Sequence, residues 1–144
     1  MSNKFQVRLK FEEKVENDIK KVSRNMILKS ESITDLEVKV TELLASEDVK
    51  EFDVISLSEA KVNDVLIDTK SLQTYWFSIR MCIMMENEKG KQMKSWFTHL
   101  VKTDEPKMAI SVVENIWSKT TYDYKITVVK ETDLTDVLLD TIDA

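Results

Sequence analysis

The sequence predicts an α+β fold made by internal duplication: two ββαβ units, each an antiparallel hairpin and a third strand with one helix on a face, related by pseudo-twofold symmetry. Three observations predict it. Residues 5–68 match residues 77–140 at a spacing of 72, with Phe5, Arg8 and Glu16 opposite Phe77, Arg80 and Glu88 at the start. At the end, Glu59, Asp64, Val65, Leu66 and Asp68 stand opposite Glu131, Asp136, Val137, Leu138 and Asp140. Second, apolar residues alternate at the head of each copy and recur at helical spacing in its middle, the order expected of strand then helix. Third, one glycine and one proline in 144 residues leave no flexible linker, so residues 1–144 read as a single compact domain of units 4–68 and 76–140.

The first unit opens on strict alternation, with Phe5, Val7, Leu9 and Phe11 on one face and Gln6, Arg8, Lys10 and Glu12 on the other, which is a half-buried strand. A polar stretch over 13–21 turns the chain, and 22–29 form the return strand of a hairpin. Ser32 with Asp35 three residues on resembles a capping box. Ile33, Leu36, Val40, Leu43 and Leu44 then follow at helical spacing to an end near Ser46, and 52–57 make the third strand. The tail over 59–68 has no assignable local structure. The second unit repeats the order with a strand over 75–85, a turn over 87–91 holding Gly90, and a strand over 93–102. Thr103 or Asp104 caps its helix, whose first turn accepts Pro106 because an N-terminal N–H has no helical partner to lose. Ala109, Val112, Val113, Ile116 and Trp117 form the apolar stripe, 122–129 form the last strand, and 70–74 are the junction between the copies.

The composition, 42% hydrophobic and 33% charged, is that of one folded soluble domain. No stretch approaches membrane-spanning length and the N-terminus alternates where a signal peptide would carry a continuous apolar core. A lone Cys82 allows no intramolecular disulfide and fits a reducing cytoplasm. The net charge of −5 taken alone argues against a strong polyanion binder, but it is unevenly spread. Residues 1–30 carry eight Lys/Arg against four Asp/Glu, and residues 75–102 five against two, whereas 31–74 and 103–144 are acidic.

Catalytic chemistry is sparse, and no enzyme is expected. His99, the one imidazole, sits in a strand pattern with no nucleophile beside it. Cys82 lacks the cationic or helix-terminal setting that activates a thiolate, apart from Arg80 two residues away. Asp64, Asp68, Asp136 and Asp140, with Glu59 and Glu131, read as solvated acids before they read as a cation site. Neither a metal nor a cofactor is expected. The sheet face turned away from the helices is the best lead. There Arg8, Lys10 and Arg80 join Trp76 and, depending on hairpin register, Trp96, while Lys20, Lys21, Arg24, Lys89, Lys91 and Lys94 widen the basic zone near the hairpin ends. Arginines that engage phosphate beside aromatics that stack on bases are the device of sheet-based single-strand binders. A competing reading buries Trp76 and Met84 against the other repeat or a second subunit, because apolar residues occupy both faces of strand 75–85.

The opening strand KFQVRLKFEE, the aromatic restart YWFSIRMCI and the tails SEAKVNDVL and KETDLTDVL resemble a family of short proteins from Bacteroides-group bacteria and their tailed phages, catalogued as a domain of unknown function. The resemblance covers nearly the whole chain. It implies a phage or mobile-element setting and supplies no catalytic residues. The functional expectation is a non-enzymatic binding module acting on single-stranded nucleic acid in the cytoplasm, that of the host if the chain is phage-encoded. The alternatives are a structural or regulatory phage protein that binds phage or host proteins, and a small-nucleotide sponge. No membrane partner is expected, and a homo-oligomer is compatible with the pattern.

Overall fold

Long alternating stretches dominate the chain, and they form strands of up to 13 residues that leave little room for helix. The computed structural model describes residues 3–144. Among them run β1 (Asn3–Val15), β2 (Asp18–Ser30), α1 (Ile33–Ser46), β3 (Asp53–Glu59), β4 (Asp64–Ile67), β5 (Tyr75–Glu86), β6 (Gln92–Thr103), α2 (Pro106–Trp117), β7 (Asp123–Glu131), β8 (Asp136–Leu138) and β9 (Ile142–Asp143). The strands form a four-stranded sheet of order β3-β1-β2-β8 and a five-stranded sheet of order β7-β5-β6-β4-β9.

This overturns the expected fold class. With 53% of the chain in strands and two short helices, the architecture is β-rich, not an α+β duplication of two ββαβ units related by a pseudo-twofold. The ββαβ description omits β4, β8 and β9, and it makes equal two sheets that are unequal. The difference arises in the tails. At four, three and two residues, β4, β8 and β9 are too short to show a period, and they join their sheets by parallel pairing to strands far away in sequence.

The chain divides into two units, one of residues through Ala60 with Leu134–Leu139, the other of Lys61–Asp133 with Asp140–Ala144. In the first, β1 pairs antiparallel with β2 and β3, and β8 runs parallel to β2. Phe5, Val7 and Leu9 of β1 and Met26 and Leu28 of β2 meet Leu36, Val40 and Leu44 of α1 in one core. Ser32 caps α1 by accepting from the backbone N–H of Asp35 at 3.1 Å. The hairpin turns tightly at Glu16 and Asn17, with Glu16 at φ 55, so the strands extend through most of the polar stretch expected to be a turn.

In the second unit β5 pairs antiparallel with β6 and β7, β4 runs parallel to β6, and β9 parallel to β4. Phe77, Ile79, Met81 and Ile83 pack with Leu66, Val101, Ala109 and Val113, and larger groups close round them, among them Phe97, Trp117 and Tyr124. Neither expected cap serves α2. Its N-cap is Glu105, which makes no side-chain cap bond, with Pro106 in the first turn. Asp104 instead accepts from the backbone N–H groups of Leu72 and Thr74 and from the Thr74 hydroxyl, and these bonds hold its carboxyl below the usual range, that from Leu72 foremost. The Thr103 hydroxyl donates to buried Asp68 at 2.8 Å.

Candidate nucleic-acid interface

Cross-strand Cα partners share a sheet face, so the registers decide which side chains stand together opposite each helix. In the first sheet the face turned away from the helix is built of rows: Lys4 beside Lys29, Gln6 between Ser58 and Ile27, Arg8 between Ser56 and Asn25, and Lys10 between Asp53 and Ser23. Glu12 beside Lys21 and Lys14 beside Ile19 follow towards the hairpin end. Arg8, Lys10, Lys14, Lys21 and Lys29 are exposed, whereas Ile27 and Asn25 are buried. Acids gather on α1 and just beyond it, in Asp35, Glu37, Glu42, Glu47 and Asp48. An acidic chain thus presents a basic sheet face. Among the described residues no aromatic side chain lies on it, since Phe5 and Phe11 belong to the core side.

The second sheet carries the aromatic element. Trp96 shares a row with Cys82 and Lys125, Arg80 with Thr98 and Val128, and Ser78 with Leu100 and Lys130. The Arg80 guanidinium lies 4.8 Å from the centre of the Trp96 ring, a cation–π contact that holds both in one orientation. Trp96 is 45% exposed. Lys94, Lys125 and Lys130 are exposed around them, Glu86 and Asp123 stand at the hairpin end of this face, and Asp143 stands at its far edge. Trp76 is different, 7% exposed with the Lys102 ammonium 5.5 Å from its ring centre. It offers no free ring face for stacking. Cys82, Val65 and Leu100 on the same side are also buried.

The structure therefore sorts the residues expected at this face. Arg8, Lys10 and Lys21 lie exposed on the face of the first sheet turned away from its helix, and Arg80, Lys94 and Trp96 on that of the second. Lys89 and Lys91 occupy the turn between β5 and β6. Lys20 pairs with Glu13 on the helix side. Arg24 also lies on that side, bonded to Glu47 and, at 2.9 Å, to Asp136, so it contributes no free cation to the face. These partners, Asp136 foremost, raise its pKa further.

Lys125 and Lys130 were missed. Five residues apart, they lie on opposite faces under strict alternation, but a bulge between their rows turns both outward. The extra residue is Thr127, whose hydroxyl donates to the Arg80 carbonyl at 3.0 Å. No sequence signal marks that bulge. In the first sheet the equivalent irregularity, between Arg8 and Leu9, leaves Ile55 as the extra residue, 55% exposed.

The repeated tail acids do not converge. Asp136 serves Arg24, Asp68 serves Thr103, and the Asp64 carboxylate lies 3.6 Å from Nδ1 of His99. Among the described residues no three His, Cys, Asp or Glu side chains are grouped to hold a metal ion.

The model of the family described as a domain of unknown function, DUF4494, matches residues 3–140 of the chain. No curated protein and no solved structure matches it.

Proposed function

We propose that this chain, a member of the DUF4494 family, is a non-enzymatic binding module that holds single-stranded nucleic acid on the exposed rows of the sheet faces turned away from its helices. The observation that carries the proposal is the Arg80–Trp96 pair, an exposed indole under a guanidinium with Lys94, Lys125 and Lys130 around it. An exposed base stacks on an indole or a guanidinium plane regardless of its identity, while the lysines take phosphates. The exposed rows of the first sheet supply cations without aromatics and suit backbone contact alone. A host-cytoplasmic setting in a phage or mobile element of the Bacteroides group forms part of the same proposal.

Titration of a fluorescein-labelled oligothymidylate from about 50 to about 200 mM salt tests it, because phosphate contacts release counterions and log affinity must fall linearly with log salt. Trp96→Ala is expected to weaken binding with little change in that slope, and Arg80→Ala to weaken binding and flatten it. Absence of binding at the lowest salt overturns the proposal. One observation favours a protein partner instead: β3 is an edge strand with Val54 and Ile55 exposed, beside a cleft of about 220 Å³ lined by Val7, Leu36, Val40, Phe52 and Leu57.

A further inference from the structure

The one imidazole of the chain is buried with half of its hydrogen-bonding capacity unused. His99 is 2% exposed, and its Nε2 accepts the indole N–H of Trp117 at 3.0 Å. An indole nitrogen only donates, so Nε2 is unprotonated and the proton of the neutral ring sits on Nδ1. That Nδ1 has no hydrogen-bond partner, and the nearest carboxylate, Asp64 Oδ2, is 3.6 Å away. A buried donor left in this state costs free energy that a small movement of the half-exposed Asp64 side chain would recover.

We infer that His99 is a proton-operated switch: neutral, it binds the indole of Trp117; protonated, it releases Trp117 and donates from Nδ1 to Asp64. Protonation places a second N–H on Nε2, directly facing the N–H of Trp117, and two donors cannot share that contact. The positive ring and Asp64 attract each other at the same time. Of the elements packed on the ring, β4 presents Asp64, α2 presents Trp117, and β5 presents Ile79 opposite His99. Along β6 itself the same face carries Phe97 and Val101. Asp64 is the one charged group acting on the ring among the described residues, and burial, the larger influence, opposes the charge, so the switch operates below the ordinary histidine range. Trp117 is the last residue of α2, so the acid form loosens the end of that helix while Asp64 draws β4 towards β6.

Because the chain has one histidine, NMR of ¹⁵N-histidine-labelled full-length protein reads this ring without ambiguity. The expected result is an Nδ1–H tautomer at neutral pH and a titration midpoint below 6.5, with the Trp117 indole N–H signal moving at that midpoint while those of Trp76 and Trp96 stay still. Asp64→Asn, which removes the attraction favouring the charged ring, should shift the midpoint further down and leave the neutral pairing with Trp117 intact. An Nε2–H tautomer at neutral pH, a Trp117 signal indifferent to the ring titration, or a midpoint unmoved by Asp64→Asn overturns the inference. None of these readouts depends on nucleic-acid binding.

Discussion

Both sheets recruit a short parallel strand to the outer edge of a hairpin, and they anchor it by different chemistry. On the first sheet, β8 is held by Thr135, whose backbone N–H and hydroxyl bond Asn25, and by Arg24 gripping Asp136 and Glu47. On the second, β4 is held by Asn63, which exchanges bonds with Thr98, and by the buried Asp68–Thr103 bond, while Asp64 faces an imidazole. One carboxylate meets a permanent cation and the other meets a group that is neutral where burial holds it. The contrast teaches that two attachments with the same backbone pattern respond differently to acid. It extends to packing. Phe97, Trp117 and Tyr124 close round the second core, whereas in the first Leu36, Val40 and Phe52 border a cleft of about 220 Å³.

The largest test of this contrast is Trp117→Ala, which removes both the aromatic lid and the partner of His99. A loss of about 2 to 4 kcal/mol is expected, below that of a fully buried tryptophan because Trp117 is only partly buried, measured by denaturant unfolding. Arg24→Ala should cost less, about 1 to 2 kcal/mol, because it leaves Asp136 and Glu47 unpaired in a partly wetted site. All three tryptophans, Trp76, Trp96 and Trp117, belong to the second unit, so their fluorescence reports that unit while far-UV circular dichroism reports both. Arg24→Ala is expected to move the dichroism transition more than the fluorescence transition. Equal movement would show that the two units melt as one and would erase the distinction drawn between their anchors.

The helix caps sharpen the comparison at about 1 kcal/mol. Ser32→Ala should destabilise by roughly that amount, since it removes an observed bond to the Asp35 N–H. Glu105→Ser should stabilise by up to about 1 kcal/mol, since α2 begins without a side-chain cap. The smallest effect at neutral pH belongs to His99. Its folded pKa is lowered by burial, so the unfolded chain binds the proton more readily, and stability present above about 6.5 declines as pH falls below that value. His99→Gln should flatten the slope of stability against pH in that window. A wild-type slope of the opposite sign would mean that Asp64, not burial, dominates the ring.

What could be read from residues alone follows from how local each signal is. Ser32, Asp35 and the Leu36–Val40–Leu44 stripe define α1 within a few turns of chain, and Phe5, Val7 and Leu9 declare the buried face of β1 by period alone. Arg8, Lys10 and Arg80 were placed on an exposed face by the same alternation. The rest depends on pairing. The partners of Asp64 and Asp136 lie 35 and 112 residues away, at His99 and Arg24, and no local pattern encodes those meetings. Asp104 and Thr103 looked like caps because they precede a proline, but long-range partners claim both side chains. Nor can alternation foresee the bulge that turns Lys125 and Lys130 to one side.

The order in which strands enter the sheets bears on synthesis. The segment that covers the outer edge of β2, Asp136–Leu138, leaves the ribosome long after β2 itself. Until then the nascent chain carries an open hairpin edge, a template for pairing with another chain, and Arg24 has only Glu47 of its two carboxylate partners. β6 meets no such delay, because Asp64–Ile67 precedes it in translation. The first sheet is therefore completed only after β5, β6 and β7 of the second have been made, and a chain stopped before Asp136 would lack the outer edge of a sheet whose other strands were already finished.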